Sequence, residues 1–152
     1  MQITVLQTLF ITITTIMVIE LVAPVINKSR HAPDPLLTRY VVPLDKSTTA
    51  SEHLAYNHVR HLIDESGIKP ENISLVVFDK GIYLLQANQV ASDRMQALLN
   101  CGVQFYACEQ SLARVKQKWD SNFMLLDGVQ LVPDGKHQID SLMDEGYVNL
   151  FA

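Results

Sequence analysis

The sequence predicts an α/β domain: a flavodoxin- or Rossmann-like three-layer fold with about five mainly parallel strands, plus an N-terminal hydrophobic helix. Three observations carry this. Short runs rich in β-branched and aromatic residues recur at 39–44, 73–78, 103–107, 128–132 and 147–151. Stretches with apolar residues at helical spacing separate them. One run, Ile73 to Phe78, is apolar almost throughout, the mark of a strand buried on both faces. Strands that alternate with helices build a parallel sheet with right-handed crossovers.

The chain divides into a transmembrane anchor or signal segment at 1–27, a linker at 28–38 and an α/β domain at 39–152. Residues 1–19 carry no charge, and apolar character continues past Glu20 to Ile26. That length can cross a bilayer as a helix. A secretory signal needs a basic start, but nothing basic precedes Lys28, and Ala23 before Pro24 is a poor cleavage site. An uncleaved anchor is therefore expected. The alternatives are an atypical signal peptide or a Thr-rich segment packed on the protein. Ile and Thr alternate at 11–14, which also suits a strand. Lys28, Arg30 and Arg39 follow the apolar run, and the positive-inside rule places the globular domain in the cytoplasm. A periplasmic domain is the alternative.

Pro33 and Pro35 oppose helix in the linker. Arg39 to Leu44 is the first strand, and Pro43 implies an edge position or early termination. Thr49-Ala-Ser-Glu52 matches a capping box. Ala55, Val59, Leu62 and Ile63 form the inward stripe of the helix that follows, and Gly67 stops it. After the second strand, Asp79-Lys80-Gly81 is a turn, and Ile82 to Leu85 is a short extra strand or the lining of a crevice. Ser92 caps a helix whose apolar positions are Met95, Leu98 and Leu99. Gly102 ends it in the left-handed conformation. Val103 to Ala107 then reads as the central strand. Leu112 and Val115 are the inward positions of the next helix. Asp134 caps the last one, which carries Ile139, Leu142 and Met143 and ends at Gly146.

With 152 residues the chain suits one domain. The formal charge is −4, from 12 basic and 16 acidic residues. No basic stripe stands out, so nucleic acid is not an expected partner. Two cysteines make no disulfide framework. Gly81, Gly128 and Gly135 form neither a GxGxxG nor a Walker pattern, so no nucleotide cofactor is expected. His53, His58 and His61 point in spread directions on a helix and lack a companion ligand set, so they read as a polar face rather than a metal site.

Cys108 is the chief candidate for chemistry. It falls at the C-terminal end of a strand, the edge where open α/β sheets place their sites. The helix starting near Glu109 points N–H groups towards the sulfur and favours a thiolate. Lys80, after the neighbouring strand, supplies positive charge at the same edge. Glu109 acts the other way. On residue type alone, a cysteine ending an apolar strand is more often a small buried hydrophobe than a nucleophile. Cys101 is expected to be a packed core residue at the opposite edge. A strand rising about 3.3 Å per residue separates the two cysteines by about 20 Å, and a disulfide requires Cα atoms within about 7 Å.

Four stretches carry a resemblance: Val-Val-Phe-Asp-Lys-Gly-Ile-Tyr at 76–83, Gly-Val-Gln-Phe-Tyr-Ala-Cys at 102–108, Gly-Val-Gln-Leu-Val-Pro at 128–133 and Gly-Tyr-Val-Asn-Leu-Phe at 146–151. In order and spacing the chain resembles the DsrE/DsrF-like sulfur-relay proteins, which include TusD-type subunits, over about three quarters of its length. The resemblance implies that Cys108 accepts sulfane sulfur as a persulfide and passes it on. It implies sulfur donor and acceptor proteins as partners and a homo- or hetero-oligomer. This is carrier chemistry, closer to a sulfurtransferase subunit than to a stand-alone enzyme. Several members of the family lack the cysteine. The alternative is a non-catalytic, membrane-anchored interaction module in which Cys108 is buried and inert.

Overall fold

The computed structural model describes residues 37–151; the expected anchor, and the linker up to residue 36, lie outside them. Among the described residues no helix is long and apolar enough to cross a membrane. In chain order the elements are β1 (Tyr40–Leu44), α1 (Thr49–Asp64), β2 (Ile73–Val77), α2 (Asp93–Cys101), β3 (Gln104–Cys108), α3 (Glu109–Lys118), β4 (Gln130–Val132), α4 (Gly135–Asp144) and β5 (Val148–Asn149). The five strands form one sheet in the order β4-β3-β2-β1-β5, and every pairing is parallel. The strand–helix alternation of the sequence is thus realised. The central strand is β2 rather than β3, and all five of its residues are buried.

The order of the strands decides how the helices are distributed. The first three crossovers each step to the adjacent strand in one direction, and their helices all contribute to one core. Ala55, Val59 and Leu62 of α1, Met95 and Leu98 of α2, and Leu112 and Val115 of α3 meet Val42, Leu44, Leu75, Val77, Phe105 and Ala107 of the sheet there. The last crossover runs back from β4 to β5 beyond β1, and it lays α4 across the opposite face. There Ile139 and Leu142 pack on Val41 and Val76, with Phe78, Tyr106 and Tyr147 around them. Successive strand residues alternate between these two cores, as the two-residue period of a strand requires. Met143, expected among the inward positions of α4, is 43 % exposed.

Several local expectations are met and several are shifted. Pro43 lies in a strand with neighbours on both sides, yet it forfeits no ladder bond. Val148 N donates to Arg39 O and Leu150 N to Val41 O, so the odd residues of β1 turn their main chain towards β5. β5 ends at Asn149, level with Val41, and among the described residues no strand residue pairs with Pro43 on that side. The N-cap falls one residue earlier than the capping pattern implied: Thr48 is the N-cap of α1, and its hydroxyl accepts from Ser51 N at 3.1 Å. Glu52 is therefore not a cap. It is buried and accepts from Arg94 Nη1 of α2 at 3.2 Å. Ser92 precedes α2 but does not cap it, because its hydroxyl donates to Gln89 O. Residues 82–85 form no strand, and of them Tyr83 lines a hollow. They belong to a 3-10 segment, Asp79–Leu85, that buries Ile82, Leu84 and Leu85. Gly102 ends α2 at φ 103, and Asp134 caps α4, both as read from the sequence.

The Glu52–Arg94 pair ties α1 to α2 with one partner buried and the other 42 % exposed. Arg94→Ala leaves the carboxylate without its donor. We expect a loss of about 1–3 kcal/mol, measured as a lower urea midpoint with an unchanged slope. Arg94→Lys should recover part of it.

Candidate functional site

Strand parity places the Cys108 side chain. Phe105 and Ala107 point into the three-helix core, so Tyr106 and Cys108 turn to the face that α4 covers. Cys108 pairs with Val132 of β4 and is the N-cap of α3. The first turn of α4 approaches it closely. A Cβ on Gly135 would stand 2.9 Å from the Phe78 Cβ and 3.3 Å from the Cys108 Cβ, so the contact depends on glycine. Around this contact lies a hollow of about 260 Å³, lined by Phe78, Asp79, Ser111, Arg114, Asp134 and Lys136 as well as Cys108.

The thiol is not turned to α3. It makes no hydrogen bond to the N–H groups of that helix and lies 3.9 Å from Pro133 O, a weak S–H contact. The α3 N–H groups expected to point towards the sulfur thus make no hydrogen bond to it. The α4 terminus is also engaged, since Asp134 Oδ1 accepts from Lys136 N at 2.8 Å and from His137 N at 3.1 Å. Those two bonds hold the Asp134 carboxyl below the usual carboxylate range.

Charge at the hollow comes from groups other than those expected. Glu109 is exposed and is not part of the lining, and Lys80 lines a neighbouring hollow. The cations beside Cys108 are Arg114 and Lys136, and the acids are Asp79 and Asp134. Arg114 Nη2 stands 3.4 Å from Asp79 Oδ1 and also 3.4 Å from Ser111 Oγ. Ser111 is buried, and its hydroxyl accepts from Asp79 N at 2.9 Å, which fixes a residue whose φ is 47°. The turn after β2 is thus clamped to the first turn of α3. Sequence reading missed Ser111 and Arg114, although they lie three and six residues after Cys108, a spacing that flanks the inward stripe of Leu112 and Val115.

The two cysteines have exposures opposite to the sequence expectation for Cys101. Cys101 ends α2 and is exposed, with Arg60 Nη1 3.8 Å from its sulfur, whereas Cys108 is 4 % exposed. Cys101 is the last residue of α2, and only Gly102 and Val103 separate it from β3. The histidines of α1 stay apart in function. His58 Nδ1 bonds Leu54 O and its ring meets Phe151 edge-on, while His61 pairs with Glu65 at 3.1 Å. Among the described residues no three His, Cys, Asp or Glu side chains are grouped to hold a metal ion.

The sequence profile of the DsrE/DsrF-like family matches residues 42–151, from the middle of β1 through β5. The chain belongs to the DsrE/DsrF-like family. All four motif stretches lie within the matched span. Among solved structures, a protein of unknown function, MTH1491, from Methanobacterium thermoautotrophicum is 26 % identical, with a TM-score of 0.63 over 74 % of this chain and 97 % of that one. The ychN protein from E. coli has the same fold at 13 % identity, with a TM-score of 0.55 over 74 % of this chain and 97 % of its own. No curated protein matches the chain.

The thiols of this DsrE-like domain should be told apart by labelling. Cys101 is expected to react with iodoacetamide several-fold faster than Cys108 in the native protein, following their exposures. Peptide mapping of oxidised monomer should yield no Cys101–Cys108 link, because the two lie at opposite ends of β3. A dominant link would overturn the strand assignment.

Proposed function

We propose that the protein is a sulfur-relay carrier in which Cys108 accepts sulfane sulfur as a persulfide and hands it to a partner protein. The DsrE/DsrF-like family is generally implicated in sulfur relay. The observation that carries the assignment to this residue is the position of Cys108 at the C-terminal end of β3, in a hollow that also holds Arg114 and Lys136. In loading, the Cys108 thiolate attacks the outer sulfur of a donor persulfide. The new Sγ–S bond forms as the donor's S–S bond breaks, and the donor leaves as a thiolate. In unloading, an acceptor thiolate attacks the same outer sulfur and Cys108 is released. No net oxidation occurs in either step. Arg114 and Lys136 offset the negative charge that the sulfur carries throughout. Donor, acceptor and further subunits of an oligomer are the partners this reading calls for.

The burial of Cys108 favours a second reading, an interaction module with an inert thiol. The two separate on one experiment. The full-length chain, incubated with a persulfide donor and analysed by peptide mass, should gain one sulfur (about 32 Da) on the Cys108 peptide. Cys108→Ser should abolish the gain and leave the unfolding midpoint within about 1 kcal/mol, because the substitution is nearly isosteric. Sulfur uptake by Cys108→Ser, or labelling of Cys108 only on unfolding, supports the inert module.

We further propose that residues 1–27 anchor the protein in a membrane, with the domain on the cytoplasmic side. The charge-free run of residues 1–19 and the basic residues from Lys28 support it. The full-length protein should stay in the pellet on carbonate extraction of membranes. Release into the supernatant, or a mature N-terminus beyond residue 23, defeats the anchor.

A further inference from the structure

A second hollow, of about 470 Å³, lies beside the first and shares Asp79, Ser111 and Arg114 with it. Its volume falls in the range of small-molecule sites. Two aromatic side chains, Tyr83 and Trp119, line it, and its two further cations are Lys80 and Lys118. Neither lysine has an ion-pair partner among the described residues. Asp79 is matched by Arg114, which leaves Asp45 as the one other acid of this lining. In a chain of net charge −4, the two hollows together gather four of the 12 basic residues. The second hollow therefore presents two cations and one carboxylate without ion-pair partners among the described residues, beside two aromatic side chains, and it adjoins the Cys108 hollow at Asp79, Ser111 and Arg114.

We infer that this hollow binds a low-molecular-weight persulfide of the amino-acid or small-peptide type and presents its outer sulfur to Cys108. The inference rests on the sulfur-relay reading. The ligand's carboxylates meet Lys80 and Lys118, its ammonium meets Asp45, and its sulfur end lies over Ser111 and Arg114. Cys108 is 4 % exposed and lines a 260 Å³ hollow, a space that admits a slender persulfide. The step balances without another reagent. The Cys108 thiolate bonds the outer sulfur of R–S–SH, the inner S–S bond breaks, the proton stays on the transferred sulfur, and R–S⁻ leaves beside Arg114. A departing thiolate next to a guanidinium is a better leaving group than one in an apolar site.

The test uses the full-length chain. Trp119 is its single tryptophan and lines the hollow, so its fluorescence reports binding directly. The unreactive probe is S-methylglutathione. The reactive pair is glutathione persulfide and its diethyl ester, which keeps the ammonium and lacks both carboxylates. We expect saturable change in Trp119 fluorescence with S-methylglutathione, weakened about tenfold or more in the Lys80→Ala/Lys118→Ala variant and retained in Lys80→Arg/Lys118→Arg. Loading of Cys108, read by peptide mass, should be about tenfold or more faster with the acid than with the ester, and the alanine pair should remove that preference. Both lysines are exposed, so the variants should fold. Equal loading by acid and ester, or loading by a protein-borne persulfide alone, overturns the proposal and leaves the relay reading standing. Failure of every persulfide to load Cys108, with Trp119 still titrating, removes the relay reading and the delivery step together.

Discussion

The structure depends on burying β2 on both faces. Its five residues are fully covered, so the chain must supply apolar cover on two sides of one sheet. Three crossovers in one direction put all their helices on one side. Among the described residues, the reversal from β4 to β5 is what brings a helix, α4, to the other. Parity then assigns Cys108 to that face. A shift of one residue in β3 would have turned the thiol under α3, into the three-helix core.

The close approach of α4 is what turns an edge into a site. Gly135 lets the first turn of that helix come against Phe78 and Cys108. Ser111 closes the other side by holding the turn at Asp79. The hollow is bounded by two helix starts and two strand ends, all local features of the backbone. Its cations, Arg114 and Lys136, are side chains that reach in from exposed positions.

Much of this was legible in the sequence because periodicity speaks for burial. The all-apolar run of Ile73 to Phe78, the inward stripes of α1 and α3, and the caps at Gly102 and Asp134 need only local rules. What was not legible needed the third dimension. Glu52 fits a capping pattern, and only the arrival of Arg94 from another helix reassigns it. Cys101 follows an apolar stripe, yet it sits at a helix end that faces solvent. Ile82 to Leu85 has strand-like composition, but a residue held at φ 47° just before it starts a 3-10 segment instead. Arg114 and Ser111 carried no motif. They enter the site because α3 begins at the cysteine, so their spacing from it became meaningful only once that start was fixed.

Pro43 has a consequence for solubility and assembly. Beyond Val41, β1 loses its neighbour β5, and a bare strand edge there would invite pairing with another chain. A proline at that point offers no N–H to an incoming strand. At the opposite margin β4 is only three residues long and is followed by Pro133. Both margins of the sheet thus deny a template to edge-to-edge aggregation at the end where the thiol lies.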